Sequence, residues 1–274
     1  MSALPALFNL EGKTALVTGA SRGIGKAIAL GYAELGADVA VLARGTTALE
    51  ELADKIEGFG RRALVLTCDV SAEDQIRESV ATVLREFGQL DVVVNNAGGF
   101  DQAGPFLELD ATGWQRVMRV NLYSVIHFCR AVGPHLVRRG SGSVINMSSI
   151  AGLAGVPMLS GYGVAKAGIL SLTRTLAAEW GSSGVRVNAL APGWTTTELT
   201  KNLAGNPEAS AGLTRAVPAS RWGSPEDVLG AAVFLASDAS ALMTGSVLTI
   251  DGGTTAYVGG PAMLDLLALG QIPA

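Results

Sequence analysis

Tyr162 and Lys166 stand four positions apart at the end of the stretch Ser149 to Lys166, a spacing that raises both from one face of a helix, one turn apart. A free phenol titrates near pH 10 and is a poor acid–base group at neutrality. A cation about 4 Å away, at an effective dielectric of about 20, favours the phenolate by about 4 kcal/mol, or nearly three pKa units. The spacing therefore predicts a Tyr162 of lowered pKa that exchanges a proton with a substrate oxygen near pH 7. Ser149 closes an apolar, strand-like run, Ser143 to Met147, and a hydroxyl there can hydrogen-bond the same oxygen. The pair also reads as a packed tyrosine beside a solvated lysine, so the rest of the chain must decide.

The first element needed is a cofactor cradle, and the N-terminal region has its form. The apolar run Lys13 to Thr18 ends in Gly19-Ala20-Ser21-Arg22-Gly23-Ile24-Gly25, and helical periodicity follows from Lys26 to Leu35. Strand, glycine turn and helix in that order suit a dinucleotide. Gly19 permits the turn, Gly23 lets backbone approach a pyrophosphate, Gly25 lets the helix pack on the strand, and the helix N-terminus faces the phosphates. The spacing T-G-x-x-x-G-x-G differs from the common G-x-G-x-x-G, and alone it could be only a turn. A second strand, Asp38 to Ala43, ends at Arg44. An acidic residue near this point accepts ribose hydroxyls in NAD sites, whereas a basic one suits a 2′-phosphate. Arg22 and Arg44 together favour NADP over NAD.

The alternation continues. Helix Thr46 to Glu57, strand Arg62 to Thr67, Asp69, helix Ala72 to Phe87, strand Asp91 to Val94 and Asn95-Asn96-Ala97-Gly98 follow in turn. A long helix is expected from about Asp110 to Arg139, carrying Asn121, and the Tyr162 helix runs on through Ile169, Leu176 and Trp180. Val185 to Leu190 is a sixth strand, ended by the Pro192-Gly193 break. Residues 194–220 lack periodicity and read as a flap. Helix Pro225 to Ala236 and strand Ser246 to Ile250 complete the series before Asp251-Gly252-Gly253. This predicts a single α/β domain over residues 1–274, a doubly wound, seven-stranded parallel sheet flanked by helices. Gly19, Asp69, Asn95 and Ser149 all fall at carboxyl strand ends, where the ligand crevice of such a sheet lies.

Composition narrows the partners. Apolar residues make up 49% of the 274 and charged ones 16%, enough for a large core and against disorder. A formal net charge of −4 argues against nucleic acid or an anionic membrane. Small molecules are the expected partners. Cys68 and Cys129 read as small core residues without metal spacing, and His127 and His135 have no metal-like companions, so no metal site is expected. Met1 to Leu10 lacks the pattern of a leader peptide, and a reduced, cytoplasmic setting fits. Arg130, Arg138 and Arg139 either complement the dipole of the long helix or dock an acidic carrier protein. Phe100, Leu153, Met158, Leu159 and Trp194 suit an apolar or mixed pocket or ordinary core.

From Leu10 to Gly253 the chain resembles the short-chain dehydrogenase/reductases. The resemblance is carried by Thr18-Gly19-x-x-x-Gly23-x-Gly25, Asn95-Asn96-Ala97-Gly98, Asn121, Ser149, Tyr162-x-x-x-Lys166, Pro192-Gly193 and Asp251-Gly252-Gly253. It implies a Rossmann-type fold and an oxidoreductase in which Tyr162 is the general acid or base. Lys166 would lower its pKa and hold the nicotinamide ribose, Ser149 would orient the carbonyl, and Asn121 would keep a water in a proton relay. Cofactor contacts are implied at Gly19, Ser21, Arg22, Gly23, Ile24, Gly25, Arg44, Asp69, Val70, Asn95, Ala97, Gly98, Tyr162, Lys166, Pro192, Gly193, Thr195 and Thr197. NADP(H) is preferred and NAD(H) is possible. The substrate class stays open between carbonyl compounds such as 3-oxoacyl carrier-protein thioesters and sugar acids or polyols, with a non-catalytic cofactor-binding regulator as the remote alternative. Pairing of the two long helices into a homodimer or homotetramer is implied too. The tail beyond Gly253 exceeds a minimal member and is expected to cover a neighbouring subunit or the cleft mouth.

Overall fold

The structure is a computed structural model describing residues 4–100, 102–257 and 260–269. A short turn of helix, α1 (Leu4–Leu7), leads into β1 (Thr14–Thr18), α2 (Gly23–Glu34), β2 (Asp38–Ala43), α3 (Thr47–Gly58), β3 (Ala63–Thr67), α4 (Glu73–Phe87) and β4 (Val92–Asn95). Then come α5 (Ala111–Met118), a π-helical turn at Arg119–Tyr123, α6 (Ser124–Arg139), β5 (Gly142–Met147), α7 (Ser160–Trp180) and β6 (Val185–Pro192). The chain closes with α8 (Lys201–Ala204), α9 (Pro207–Arg215), α10 (Pro225–Ala236), β7 (Val247–Ile250) and α11 (Gly260–Ala268).

The strands form one sheet in the order β3-β2-β1-β4-β5-β6-β7, and every paired neighbour runs parallel. Each face is covered by helices. Ala15 and Val17 of β1 point to a core shared with Ile28, Tyr32, Leu49 and Leu235, whereas Leu16 points to one with Ile76, Phe128, Val132 and Ile169. That alternation is the period of two of a pleated strand, and burial on both sides explains why the strands read as continuous apolar runs. Each of these large side chains contributes about 1.5–3 kcal/mol on leaving water.

The consequence for function is topological. β1 hydrogen-bonds β2 on one side and β4 on the other, so the strand order reverses between β1 and β4. An open parallel sheet binds its ligand in the crevice above such a reversal.

Three expectations need correction. The helix from Asp110 to Arg139 is interrupted by the π-helical turn that holds Asn121, a form common at functional positions. Pro192 does not end the last ladder: it stays in register with Ile250, because β6 meets β7 there without needing the missing proline N–H. The flap region holds two helices, α8 and α9, the second capped by the Asn206 side chain, which accepts from the N–H groups of Glu208 and Ala209. Of the tail, α11 is described, while Gly259 and the side chains of Met263, Leu264 and Leu267 lie outside the described residues. No helix among the described residues is long and apolar enough to cross a membrane.

Candidate active site

The crevice floor is built where β1 and β4 end. The Thr18 hydroxyl donates to the Val94 carbonyl (3.2 Å) and accepts from the N–H groups of Asn96 and Ala97 (each 2.9 Å). The Asn96 amide donates back to the carbonyls of Thr18 (2.9 Å) and Gly19 (3.2 Å). These bonds clamp the glycine loop onto the neighbouring strand. Gly19 has φ +66°, and a side chain there would begin 2.9 Å from the Ala97 Cα. A Cβ on Gly25 would lie 2.5 Å from the Gly19 carbonyl oxygen, so helix, turn and strand meet only without side chains.

This cradle fits a dinucleotide phosphate. The first turn of α2 has no acidic side chain, and Arg22, its N-cap, makes no side-chain capping bond. The free N–H groups and the dipole of a twelve-residue helix thus face the crevice unclaimed by protein. Thr197 closes the cradle from the opposite side, its methyl 3.4 Å from where a Gly23 side chain would begin. The charge of Arg44 falls on Asp69, whose carboxyl is held low mainly by the Ser71 N–H. That of Arg22 reaches Glu198, where the dominant influence is Lys201.

Tyr162 is placed by glycines. A Cβ on Gly161 would lie 3.2 Å from the Trp114 ring, and one on Gly163 would lie 3.1 Å from the Ala151 carbonyl oxygen. The first turn of α7 therefore seats Tyr162 between α5 and the Ser149 turn. Ser149 opens that turn in extended conformation (φ −169°), its oxygen accepting from the Ala151 N–H at 3.2 Å. It also hydrogen-bonds the Tyr162 phenol. The Phe100 ring stands edge-on to Tyr162, with centroids 5.5 Å apart.

Lys166 is 2% exposed, and its ammonium donates to the Met147 carbonyl at 2.8 Å. It lies 5.3 Å from the Tyr162 ring centroid. Asn121, fully buried, donates to the carbonyls of Val117 (2.8 Å) and Gly99 (2.6 Å) and accepts from the Gly99 N–H (3.0 Å). The π-helical turn aims Asn121 at this loop. A Cβ on Gly98 would fall 2.8 Å from Asn121 Oδ1 and 3.2 Å from Lys166 Nζ, so Gly98 is the residue that lets amide and amine approach one point. Asn95 donates to Asn146 (2.8 Å), which donates to Thr173 (2.9 Å). This buried chain ties β4 and β5 to α7. Asn95 Oδ1 is buried without a partner, a polar atom left free beside the crevice.

The direction of the Tyr162 pKa overturns the expectation from spacing. Burial pushes the phenol up to about 12, and the Ser149 hydrogen bond offsets only part of that. The same burial drives Lys166 down to about 7. Spacing fixed the proximity of the two groups, but it carried no information on how much water each loses, and desolvation disfavours both charged forms. The phenol is therefore the stable form, and beneath it lies an amine whose pKa burial lowers to about 7.

Other candidates are accounted for in place. Ser21 and Ile24 lie in or beside the glycine loop, Val70 follows Asp69, and Ala97 sits under Gly19. The Thr195 hydroxyl donates to the Gly193 carbonyl, and Thr200 donates to the Thr195 carbonyl at 2.6 Å, so the turn after Pro192 is internally braced. Arg139 pairs with Asp91 at 2.6 Å, and His127 lies 3.3 Å from Glu73. Among the described residues no group of three or more His, Cys, Asp or Glu could hold a metal. Thr18, named above only as the start of the glycine motif, and Ser148, which donates to the Lys166 carbonyl at 2.9 Å and was not singled out in the sequence, brace the site. A hydroxyl closing each buried strand was their signal.

With this geometry in view, comparison with known proteins gives a consistent result. A family model described as enoyl-(acyl carrier protein) reductase matches residues 19–255. The chain is 38% identical over 251 residues to gluconate 5-dehydrogenase of Gluconobacter oxydans, covering 92% of this chain and 98% of that protein. It is 40% identical over 245 residues to the 3-oxoacyl-[acyl-carrier-protein] reductase FabG of Chlamydia trachomatis, covering 89% and 98%. A crystal structure of gluconate 5-dehydrogenase from Burkholderia cenocepacia J2315, in complex with NADP and tartrate, superposes with a TM-score of 0.89. Its identity is 35%, over 93% of this chain and all of that one.

Proposed function

The chain belongs to the short-chain dehydrogenase/reductase family, and on that premise we propose that it is an NADP(H)-dependent oxidoreductase interconverting a ketone and a secondary alcohol. The observation that carries the reading is the convergence of Ser149, Tyr162, Lys166 and Asn121 on the crevice between β1 and β4. A bound nicotinamide would supply or accept the hydride.

The chain's residues do the rest. In reduction, charge develops on the carbonyl oxygen, where the Ser149 hydroxyl donates a hydrogen bond and the Tyr162 phenol delivers its proton. Lys166, protonated, lies close enough to stabilise the phenolate left behind and would hold the ribose. Asn121 would keep a water in the relay that reprotonates Tyr162. In oxidation the same groups act in reverse. Gly19, Ser21, Arg22, Gly23, Ile24, Gly25, Asp69, Val70, Asn95, Ala97, Gly98, Pro192, Gly193, Thr195 and Thr197 would line the dinucleotide, with Arg22 and Arg44 facing the 2′-phosphate. The NADP in the Burkholderia relative's complex supports that choice.

Absorbance at the reduced-nicotinamide band, followed with ketones and either cofactor, tests the reading directly. Cofactor binding without turnover of any carbonyl or alcohol would favour a non-catalytic regulator. A charge-assisted bond to phosphate contributes about 1.5–3 kcal/mol, so Arg44→Ala is expected to raise the KM for NADPH about tenfold or more. The KM for NADH should move far less, and equal shifts for both cofactors would remove Arg44 from phosphate recognition. The second reading is an NAD-linked polyol or sugar-acid dehydrogenase; its sugar-acid substrate is favoured by the similarity to the gluconate 5-dehydrogenase of Gluconobacter.

Residues 1–274 are read as one catalytic domain working in the cytoplasm on small molecules. Its assembly as a homodimer or homotetramer through α6 and α7 is supported by an exposed apolar side chain on each helix, Val137 and Val164. The tail acts on the flap: the Tyr257 hydroxyl donates to the Ala216 carbonyl (3.2 Å), and Arg215 of α9 pairs with Asp265 of α11. Removing residues 259–274 is expected to raise substrate KM severalfold with the oligomer intact. An unchanged KM would detach the tail from the cleft.

A further inference from the structure

Resting on the oxidoreductase reading above, we infer that the substrate is an apolar ketone, carrying an alkyl or aryl body beside its carbonyl, and not a polyhydroxy acid. The segments that meet around Tyr162 are residues 99–100 with 102–104, 149–161 and 194–205. They are joined into one rim. The Gly104 N–H donates to the Met158 carbonyl at 2.9 Å, and the Leu199 Cδ1 reaches over Gly99, 3.6 Å from where a side chain there would begin.

The rim presents large apolar side chains to solvent. Phe100 stands edge-on to Tyr162, and Leu153, Met158, Leu199 and Leu203 are each at least 40% exposed. Exposed apolar residues clustered beside a reactive group mark a binding surface. Met158 also holds φ +74°, a left-handed conformation that a side-chain-bearing residue adopts at a cost and that collects at ligand sites. A thioether held there adapts to irregular apolar shapes.

The polar inventory of the rim points the same way. A sugar acid needs a cation for its carboxylate and several donors and acceptors for its hydroxyls. The only lysine or arginine in these three segments is Lys201, and it is paired with Glu198 at 2.6 Å. Gln102 donates to Asp110 at 2.7 Å, and the Thr197 and Thr200 hydroxyls are engaged with each other; the Ser160 hydroxyl, buried without a partner, is one free group where a polyol needs several. Lys166, next to the rim, donates to the Met147 carbonyl and is taken up on its other side by the phenol and the ribose it is proposed to hold.

The test is a kinetic series with NADPH and purified full-length protein: 2-alkanones of increasing length, acetophenone, and 5-keto-D-gluconate. Burial of about 0.8 kcal/mol per methylene converts to a three- to fourfold rise in kcat/KM for each added carbon until the rim is covered. Acetophenone and the longer alkanones should exceed 5-keto-D-gluconate by at least tenfold. Leu199→Asp should raise KM for the long alkanones about tenfold or more with NADPH affinity, read by fluorescence titration, unaltered. A flat alkanone series, or a higher kcat/KM for 5-keto-D-gluconate, would overturn the inference and leave the oxidoreductase standing. NADPH binding with no turnover of any member would overturn the oxidoreductase reading itself.

Discussion

Tyr162→Phe is expected to lower kcat for ketone reduction by roughly 10²–10⁴-fold, the range a positioned proton donor supplies, while NADPH binds as before. The substitution removes one hydroxyl and keeps the ring that stands against Phe100, so the crevice keeps its shape. The pH profile carries the sharper signature. Burial holds the wild-type phenol up at about 12, so its proton is in place across the neutral range and is available to a developing alkoxide. Alcohol oxidation needs the phenolate, and its rate should climb with pH toward the alkaline end. Reduction should show no loss from Tyr162 between pH 6 and 9. Steady-state rates from pH 6 to 10 together with NADPH titration check this, and turnover within a few-fold of wild type would remove the phenol from the chemistry.

What made this site legible in the sequence was backbone. Strand ends announce themselves through apolar runs stopping at Gly19, Asn95 and Ser149, and parallel alternation then forces those ends to one edge of the sheet. Seven strands and the helix Pro225 to Ala236 are found where the pattern puts them, give or take a residue or two at the ends. What was not legible depends on contacts far apart in sequence. The π-helical turn at Asn121 exists because that side chain reaches carbonyls at Val117 and Gly99, one of them on a different segment. The α9 helix lacks an apolar stripe, yet Asn206 followed by Pro207 was a readable start signal. The directions of the Tyr162 and Lys166 shifts were beyond reach, since spacing gives distance but not the water lost by each group.

Lys166 yields the second large effect, because burying an amine has opposite consequences for stability and for catalysis. Its folded pKa is lowered to about 7 by burial, against the ordinary lysine value near 10.4 in the unfolded chain. Below pH 7 both states carry the proton, and the folded state bears the full cost of a buried ammonium. As pH rises from about 7 to 10 the folded protein releases a proton that the unfolded chain keeps, so this group makes stability rise with pH. At about 1.4 kcal/mol per unit the cost below pH 7 is several kcal/mol, which outweighs the about 1–3 kcal/mol of leaving the Met147 carbonyl without its donor. Lys166→Met is therefore expected to stabilise the protein by about 2 kcal/mol at pH 6, with the gain vanishing and reversing by pH 10. Catalysis should move the other way. With no cation beneath the ring to favour the phenolate, kcat/KM should fall roughly 10²-fold or more, the scale of about 3 kcal/mol of electrostatic support. The inflection near pH 7 that the Lys166 amine is expected to give the wild-type profile should be absent from the variant. Urea denaturation at pH 6, 8 and 10 beside the rate profile separates the two effects. A variant less stable than wild type at pH 6 would mean that the buried amine is better compensated than its single bond to Met147 indicates.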